Sequence, residues 1–131
     1  MARRVLAAVE DLLFRSKISE TAGQLNTEAR FPRSPEKLLE TLRESPPDLL
    51  VLDLNSARFE PLNLLRTVKS DETTQHISTV CFLSHVQKDL AIAAKEAGCD
   101  RIVARSAFVR DLPQILTQGE PGGSVDEAGV G

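Results

Sequence analysis

Short apolar runs alternate along the chain with longer stretches in which apolar residues recur every three or four positions. The candidate strands lie at 5–9, 28–33, 48–54, 77–84 and 101–104. The run 5–9 is continuously apolar and the run 48–54 is nearly so, as expected for strands covered on both faces, whereas Pro32 assigns the run 28–33 to a sheet edge. The stretches between them have helical spacing, beginning with Leu13 and Phe14 in the first helix. Connections of this length join parallel strands rather than hairpins.

Local sequence signals mark the ends of several helices. Ser34-Pro35 predicts an N-cap followed by proline at the first helical position, and Pro61 opens the third helix. Ser84 and Gln87 fit the capping-box pattern S-x-x-Q and predict the start of the fourth helix. Gly98 is suited to the position after its end.

Five βα units predict an α/β fold, in which a doubly wound five-stranded parallel sheet carries helices on both faces. The chain of 131 residues suits one domain. We assign residues 1–117 to that domain. Residues 118–131 are glycine-rich and acidic, with little to bury, so this tail is predicted to be disordered.

Composition narrows the classes of function. The formal net charge of −3 argues against a duplex-DNA binder held by phosphate contacts. No apolar run approaches the ~18 residues of a membrane span, and no secretory signal is evident, so we expect a cytoplasmic protein. Cys81 and Cys99 match no metal-binding spacing.

Polar residues stand at the carboxyl ends of four predicted strands. They are Glu10 and Asp11, Asp53 and Asn55, Ser84 and His85, and Arg105. Sites in open parallel sheets form beyond these ends, so we expect the residues to converge. Three carboxylates so placed repel one another, and a hard cation such as Mg²⁺ is their natural partner. Asp53 could then attack a phosphoryl group.

This constellation resembles the receiver domain of bacterial two-component response regulators. The matching stretches are "VLAAVED" (5–11), "PDLLVLDLN" (47–55), "VCFLS" (80–84) and "AGCDRIVARSAF" (97–108). The resemblance implies a flavodoxin-like (βα)5 three-layer sandwich. It also implies these roles: Asp53 as phosphoacceptor, Glu10, Asp11, Asp53 and the Asn55 backbone carbonyl as Mg²⁺ ligands, and Ser84 and Arg105 as contacts to the phosphoryl group.

The chain departs from the receiver pattern at several positions. Arg105 stands where receivers usually have a lysine, and Ser106 replaces the proline that usually follows it. Ile102 occupies the position where many receivers have an aromatic residue that changes rotamer on activation. Ser56 replaces part of the usual turn after the phosphoacceptor strand.

The resemblance implies a stand-alone receiver module in phosphorelay signal transduction, and not an enzyme beyond self-catalysed phosphotransfer to Asp53. A histidine kinase or phosphotransfer protein would donate the phosphoryl group. A downstream protein would read the change, with neither nucleic acid nor membrane as partner, and a homodimer is compatible with this scheme. The alternative is a pseudo-receiver, a phosphorylation-independent protein-interaction module that Arg105 and Ile102 favour. A flavodoxin-like cofactor binder is disfavoured because no glycine-rich phosphate loop follows a strand.

Each site residue also has a simpler interpretation. Asp53 can form a turn with its own backbone near Asn55, and Asp11 can serve the first turn of a helix, as can Glu10. Ser84 can be an N-cap. Arg105 and His85 can be solvent-exposed polar groups, although His85 could also tune the site.

Overall fold

The computed structural model describes residues 2–84 and 87–118. The strands are β1 (Arg3–Ala8), β2 (Thr27–Arg30), β3 (Leu49–Asp53), β4 (Ser78–Leu83) and β5 (Arg101–Ala104). The helices are α1 (Leu12–Gln24), α2 (Pro35–Glu44), α3 (Pro61–Ser70), α4 (Lys88–Glu96), α5 (Arg105–Arg110) and α6 (Leu112–Gln118). Strands and helices therefore alternate along the chain, as the hydrophobic pattern predicts.

The five strands form one parallel sheet in the order β2-β1-β3-β4-β5. The doubly wound α/β fold and the edge position of the second strand are thereby confirmed. From β1 the chain first moves outward to β2, then returns to place β3 on the other side of β1. The loops that follow β1 and β3 therefore diverge at this switch in strand order, where open α/β sheets form their sites.

Apolar side chains cover both faces of the sheet, and β3 is buried along its whole length. One face packs against α2, α3 and α4, through residues that include Leu38, Leu65 and Ala94. The other packs against α1, α5 and α6, through residues that include Ile18, Phe108 and Ile115. This three-layer arrangement explains why the sequence of β3 is apolar without alternation.

Several local signals act as predicted. The Ser34 hydroxyl accepts a hydrogen bond from the Lys37 backbone N–H at 3.2 Å, and Pro35 is the first residue of α2. Pro61 opens α3. Gly98 follows α4 with φ +104°, a conformation that favours glycine.

One prediction about helices is wrong, the start of α4, and two further features of the helices were not predicted. Leu13 is 83% exposed, because it lies one position, or about 100° of helical rotation, from Phe14, whose face includes the buried Ile18. Helix α4 begins at Lys88 with Gln87 as its N-cap, so Ser84 is not the cap. The last helix divides at Asp111, and Pro113, which has no N–H to donate, lies in the first turn of the new helix.

The predicted contribution of His85 to the site and the predicted disorder of residues 119–131 lie outside the described residues. Gln118, which we assigned to the same tail, is instead the last residue of α6. Within the described ranges, no helix is both long enough and apolar enough to cross a membrane.

Candidate functional site

The predicted site residues gather at the carboxyl edge of the central strands. Asp53 ends β3, between β1 and β4, and its register partner on β4 is Phe82. Glu10 and Asp11 follow β1, Ser84 follows β4, and Arg105 follows β5 directly as the first residue of α5. Parallel strand order alone brings these loops to one edge.

Asp53 is a buried carboxylate, with only 5% of its surface exposed. Its Oδ1 accepts a hydrogen bond from the Asn55 backbone N–H at 2.9 Å, which is the local turn of the simpler interpretation. Among the described residues, no hydrogen-bond donor contacts its Oδ2. Burial raises the pKa of Asp53, and the negative charges of Asp11 and Glu10 raise it further, against the lowering effects of the Asn55 N–H and Arg105. The carboxyl group is thus held where a positive partner would favour its ionised form.

Glu10 is bound to the loop after β3. Its Oε2 accepts a hydrogen bond from the Ser56 hydroxyl and another from the Arg58 N–H at 3.2 Å. The Arg58 guanidinium lies 3.6 Å from Oε1. These donors, the Ser56 hydroxyl first, lower the pKa of Glu10. Glu10 is therefore ionised, but its carboxylate points at Ser56 and Arg58.

Asp11 is the N-cap of α1. Its Oδ1 accepts hydrogen bonds from the backbone N–H groups of Leu13 at 2.9 Å and Phe14 at 3.2 Å. This is the helix-start role that the sequence left open for the acidic pair. Its Oδ2 accepts no hydrogen bond from any described residue.

The donor set suits a hard divalent cation in its chemistry, although it is not arranged as a closed cluster. No group of three or more His, Cys, Asp or Glu side chains in the described ranges is arranged to hold a metal ion. Two carboxylate oxygens, Oδ2 of Asp11 and of Asp53, nevertheless lack donors from the described residues. The charges of both acidic neighbours oppose ionisation of Asp53, and a cation among them would relieve that repulsion. Glu10 could join only by leaving Ser56 and Arg58.

Asn55, Gln87 and Ser84 connect the loops after β3 and β4. The Asn55 amide donates to Gln87 Oε1 at 2.8 Å. The Ser84 N–H donates to the same Gln87 oxygen at 3.1 Å and to Asn55 Oδ1 at 3.4 Å. One of the two hydrogen bonds of the predicted capping box therefore forms, from the Ser84 N–H to the Gln87 side chain. It forms in a turn that precedes α4. No hydrogen bond occupies the Ser84 hydroxyl within the described part of the chain.

Arg105 lies on the opposite side of Asp53 from the acidic pair. Its Nη2 is 3.7 Å from Asp53 Oδ1. Its guanidinium carbon lies 5.1 Å from the ring centroid of Phe14 and 5.9 Å from that of Phe82. The side chain is 41% exposed, so the cation faces both Asp53 and solvent.

Sequence reasoning missed four side chains that contact the site. Ser56 and Arg58 bind Glu10, and Phe14 and Phe82 pack against Arg105. A hydroxyl and a cation within five residues of Asp53 were the available signal for the first pair. Nothing local in the sequence places the two rings beside Arg105, because they come from α1 and β4.

Searches with the sequence found no protein-family model and no curated protein that matches the chain. Comparison of the fold with solved structures gives clear similarity. A response regulator from Hahella chejuensis matches with a TM-score of 0.80 and 19% identity, over 90% of this chain and 95% of that chain. The phosphorylated cyanobacterial phytochrome response regulator RcpA matches with a TM-score of 0.76 and 21% identity, over 90% and 91%.

A third match is the Mn²⁺-bound form of response regulator Rcp1, with a TM-score of 0.75 and 16% identity, over 86% of this chain and 91% of that one. At these identities the likeness concerns the fold. The chain therefore has the flavodoxin-like fold of response regulator receiver domains, as the sequence resemblance implied.

Proposed function

We propose that the chain is a receiver module of phosphorelay signal transduction, in which Asp53 accepts a phosphoryl group from a histidine kinase or phosphotransfer protein. The observation that carries this proposal is the position of Asp53. It is a buried carboxylate at the switch point of a receiver fold, with an acidic pair on one side and Arg105 on the other. A turn-forming aspartate would need neither neighbour.

The proposed step is a displacement at phosphorus. An ionised oxygen of Asp53 attacks the phosphoryl group, and the bond from phosphorus to the donor nitrogen or oxygen breaks. The leaving group keeps the electron pair; a departing histidine nitrogen then takes a proton from solvent, whereas a departing carboxylate remains an anion. The product is an acyl phosphate on Asp53. Because the pKa of Asp53 is raised by burial and by negative neighbours, positive charge nearby favours the reactive form.

The chain's own residues would supply part of this charge balance, and a bound cation the rest. Arg105 would pair with phosphoryl oxygens, as guanidinium groups do with two donors. The Ser84 hydroxyl would turn to hydrogen-bond the phosphoryl group. Glu10, Asp11, Asp53 and the Asn55 carbonyl would hold Mg²⁺, which would neutralise charge on the transferring oxygens. A structure of similar fold holds Mn²⁺, which supports this assignment by analogy.

The downstream signal would be a change in surface around α4, β5 and α5. A new charge on Asp53 would alter the hydrogen bonds that link Ser84, Gln87 and Asn55 between two loops. Ile102 on β5 is half-buried and aliphatic, so the change would be transmitted without an aromatic rotamer switch. A partner protein would read this surface.

A pseudo-receiver is the second candidate, and one observation favours it. Glu10 is bound by Ser56 and Arg58 instead of facing Asp53. A site fixed in that arrangement would lack Glu10 as a metal ligand, which favours a role in protein interaction without phosphotransfer.

Mass spectrometry after incubation with Mg²⁺ and acetyl phosphate separates the two candidates. Phosphotransfer predicts a labile increment of one phosphoryl group that disappears in Asp53→Asn and persists in Asp89→Asn, a control in the exposed first turn of α4. If neither acetyl phosphate nor a cognate kinase yields the adduct, the phosphotransfer proposal is wrong. Titration with Mg²⁺ of Asp11→Ala against the parent chain tests the acidic pair separately.

A further inference from the structure

Arg105 rests on a group of phenylalanine rings. We call Phe14, Phe82 and Phe108 the phenylalanine cluster. Phe82 and Phe108 stack at 4.5 Å between centroids, and Phe14 meets the Phe82 ring edge-on at 5.1 Å. The chain has five phenylalanines and neither tryptophan nor tyrosine. Three of its five phenylalanine rings therefore lie in one cluster behind Arg105.

Ring contacts surround the Arg105 guanidinium, and its side chain forms no hydrogen bond with any residue that the structure describes. Its Nε is buried and has no hydrogen-bond partner among the described residues. Its Nη2 lies 3.7 Å from Asp53 Oδ1, beyond ordinary hydrogen-bond distance. Phe14 and Phe82 are within the ~6 Å at which an arginine gains from the face of a ring. The cation therefore lies near Asp53 without forming a hydrogen bond to it.

We infer that Phe14 is a positioning residue for Arg105, and that this chain uses arginine at the site because its rings can hold a guanidinium. This inference rests on the proposed function. A guanidinium is planar and weakly hydrated and stacks on rings, whereas a lysine ammonium is a compact, strongly hydrated charge. Phe82 and Phe108 are fully buried core residues, while Phe14 is partly exposed. Phe14 is therefore the ring that can be changed without emptying the core.

A double-mutant cycle tests the coupling between ring and cation. Phe14→Leu should slow formation of the Asp53 adduct roughly threefold to tenfold when Arg105 is present. In the Arg105→Lys background the same change should alter the rate less than twofold. Phe14→Tyr should restore the parent rate. Equal slowing by Phe14→Leu in both backgrounds would overturn the inference, because the ring would then act through structure alone.

An NMR measurement tests the contact between Phe14 and Arg105 without requiring phosphotransfer. The Nε–H resonance of Arg105, identified by its loss in Arg105→Lys, should be shifted by the Phe14 ring current. That shift should be lost in Phe14→Leu and kept in Phe14→Tyr. An unchanged resonance in Phe14→Leu would sink the inference. If the parent chain forms no adduct, the proposed function fails, and the resonance alone decides whether Phe14 positions Arg105.

Phe31→Leu is the matched control. Phe31 also contacts an arginine, with the Arg15 guanidinium carbon 5.1 Å from its ring centroid, but it lies just beyond the edge strand β2 and away from Asp53. Its replacement should leave both the adduct rate and the Arg105 resonance unchanged. A comparable loss in this control would show that removing any partly buried ring is sufficient, and would overturn the specific role of Phe14.

Discussion

At the scale of single residues, the ionisation of Asp53 works against the fold. Burial, with the charges of Asp11 and Glu10, raises its pKa in the folded chain. At low pH such an acid is protonated in both the folded and the unfolded chain, so its ionisation does not change the free energy of unfolding. As the pH rises through its unfolded pKa, the free energy of unfolding falls, because the unfolded chain ionises more readily. We expect Asp53→Asn to have a higher Tm than the parent at pH 7. The gain should vanish as the pH falls to about 4, the pKa of an ordinary aspartate.

Calorimetry at both pH values measures this difference, with Asp89→Asn as the exposed control. The substituted side chain keeps an oxygen that can accept the Asn55 N–H, so the change is mainly one of charge. A Tm below that of the parent at pH 7 would mean that the pairing with Arg105 outweighs burial.

Ser56 competes for the carboxylate that a metal would need. Its hydroxyl is the main cause of the lowered pKa of Glu10, and its side chain is buried. We expect Ser56→Ala to raise the pKa of Glu10 and to strengthen Mg²⁺ binding roughly two- to tenfold, the equivalent of one hydrogen bond of about 0.5–1.5 kcal/mol. Carboxyl ¹³C NMR and calorimetric Mg²⁺ titration measure the two effects. Ser19→Ala, on the exposed face of α1, is the control, and unchanged affinity in Ser56→Ala would show that Glu10 takes no part.

At the scale of elements, replacement of two glycines by alanine should change the free energy of unfolding in opposite directions. A Cβ on Gly98, where φ is +104°, would lie 2.8 Å from Cγ of Lys69. The Lys69 ammonium donates to the Ile77 carbonyl at 2.9 Å and to Asp100 at 3.0 Å. Gly98→Ala should therefore destabilise the fold by about 1–3 kcal/mol through backbone strain, with a further loss if Lys69 moves.

Gly23 lies inside α1, and a Cβ there would meet no atom within 4 Å. Gly23→Ala should stabilise by about 0.5–1 kcal/mol, because alanine favours the helix. Urea denaturation of both variants measures the pair. Loss of stability in both would contradict the assignment of the strain to Gly98.

Element order was predictable from sequence because buried parallel strands are apolar without alternation, as β3 illustrates. Helix ends were less predictable. Ser84 and Gln87 have the residues of a capping box, but their turn is bonded to Asn55 on another loop, so α4 starts later. The exposure of Leu13 was not predictable, because spacing alone does not define which side of a helix faces the sheet.

At the scale of the whole molecule, the parallel arrangement of the strands predicted which loops would converge but not which side chains would pair. Asp53, Asp11, Ser84 and Arg105 reach one edge because the strands are parallel. The hydrogen bond from the Ser56 hydroxyl to Glu10 depends on distances of a few ångströms between two loops. Such choices follow from the folded geometry, which a one-dimensional pattern of apolar and polar residues does not contain.

The central strand also couples the two cores of the molecule. Leu52 of β3 packs on the side of α2, α3 and α4, and its neighbour Val51 packs on the side of α1, α5 and α6. Loss of β3 would leave neither layer a sheet to pack on, so the two sides should open together. We expect Leu52→Ala to lower the free energy of unfolding by about 2–5 kcal/mol. Native-state hydrogen exchange should show that the free energy of opening falls equally for the core amides of α1 and of α2. Of these two helices, only α2 lies on the same side of the sheet as Leu52. A loss confined to α2 would instead mean that each layer unfolds as its own unit.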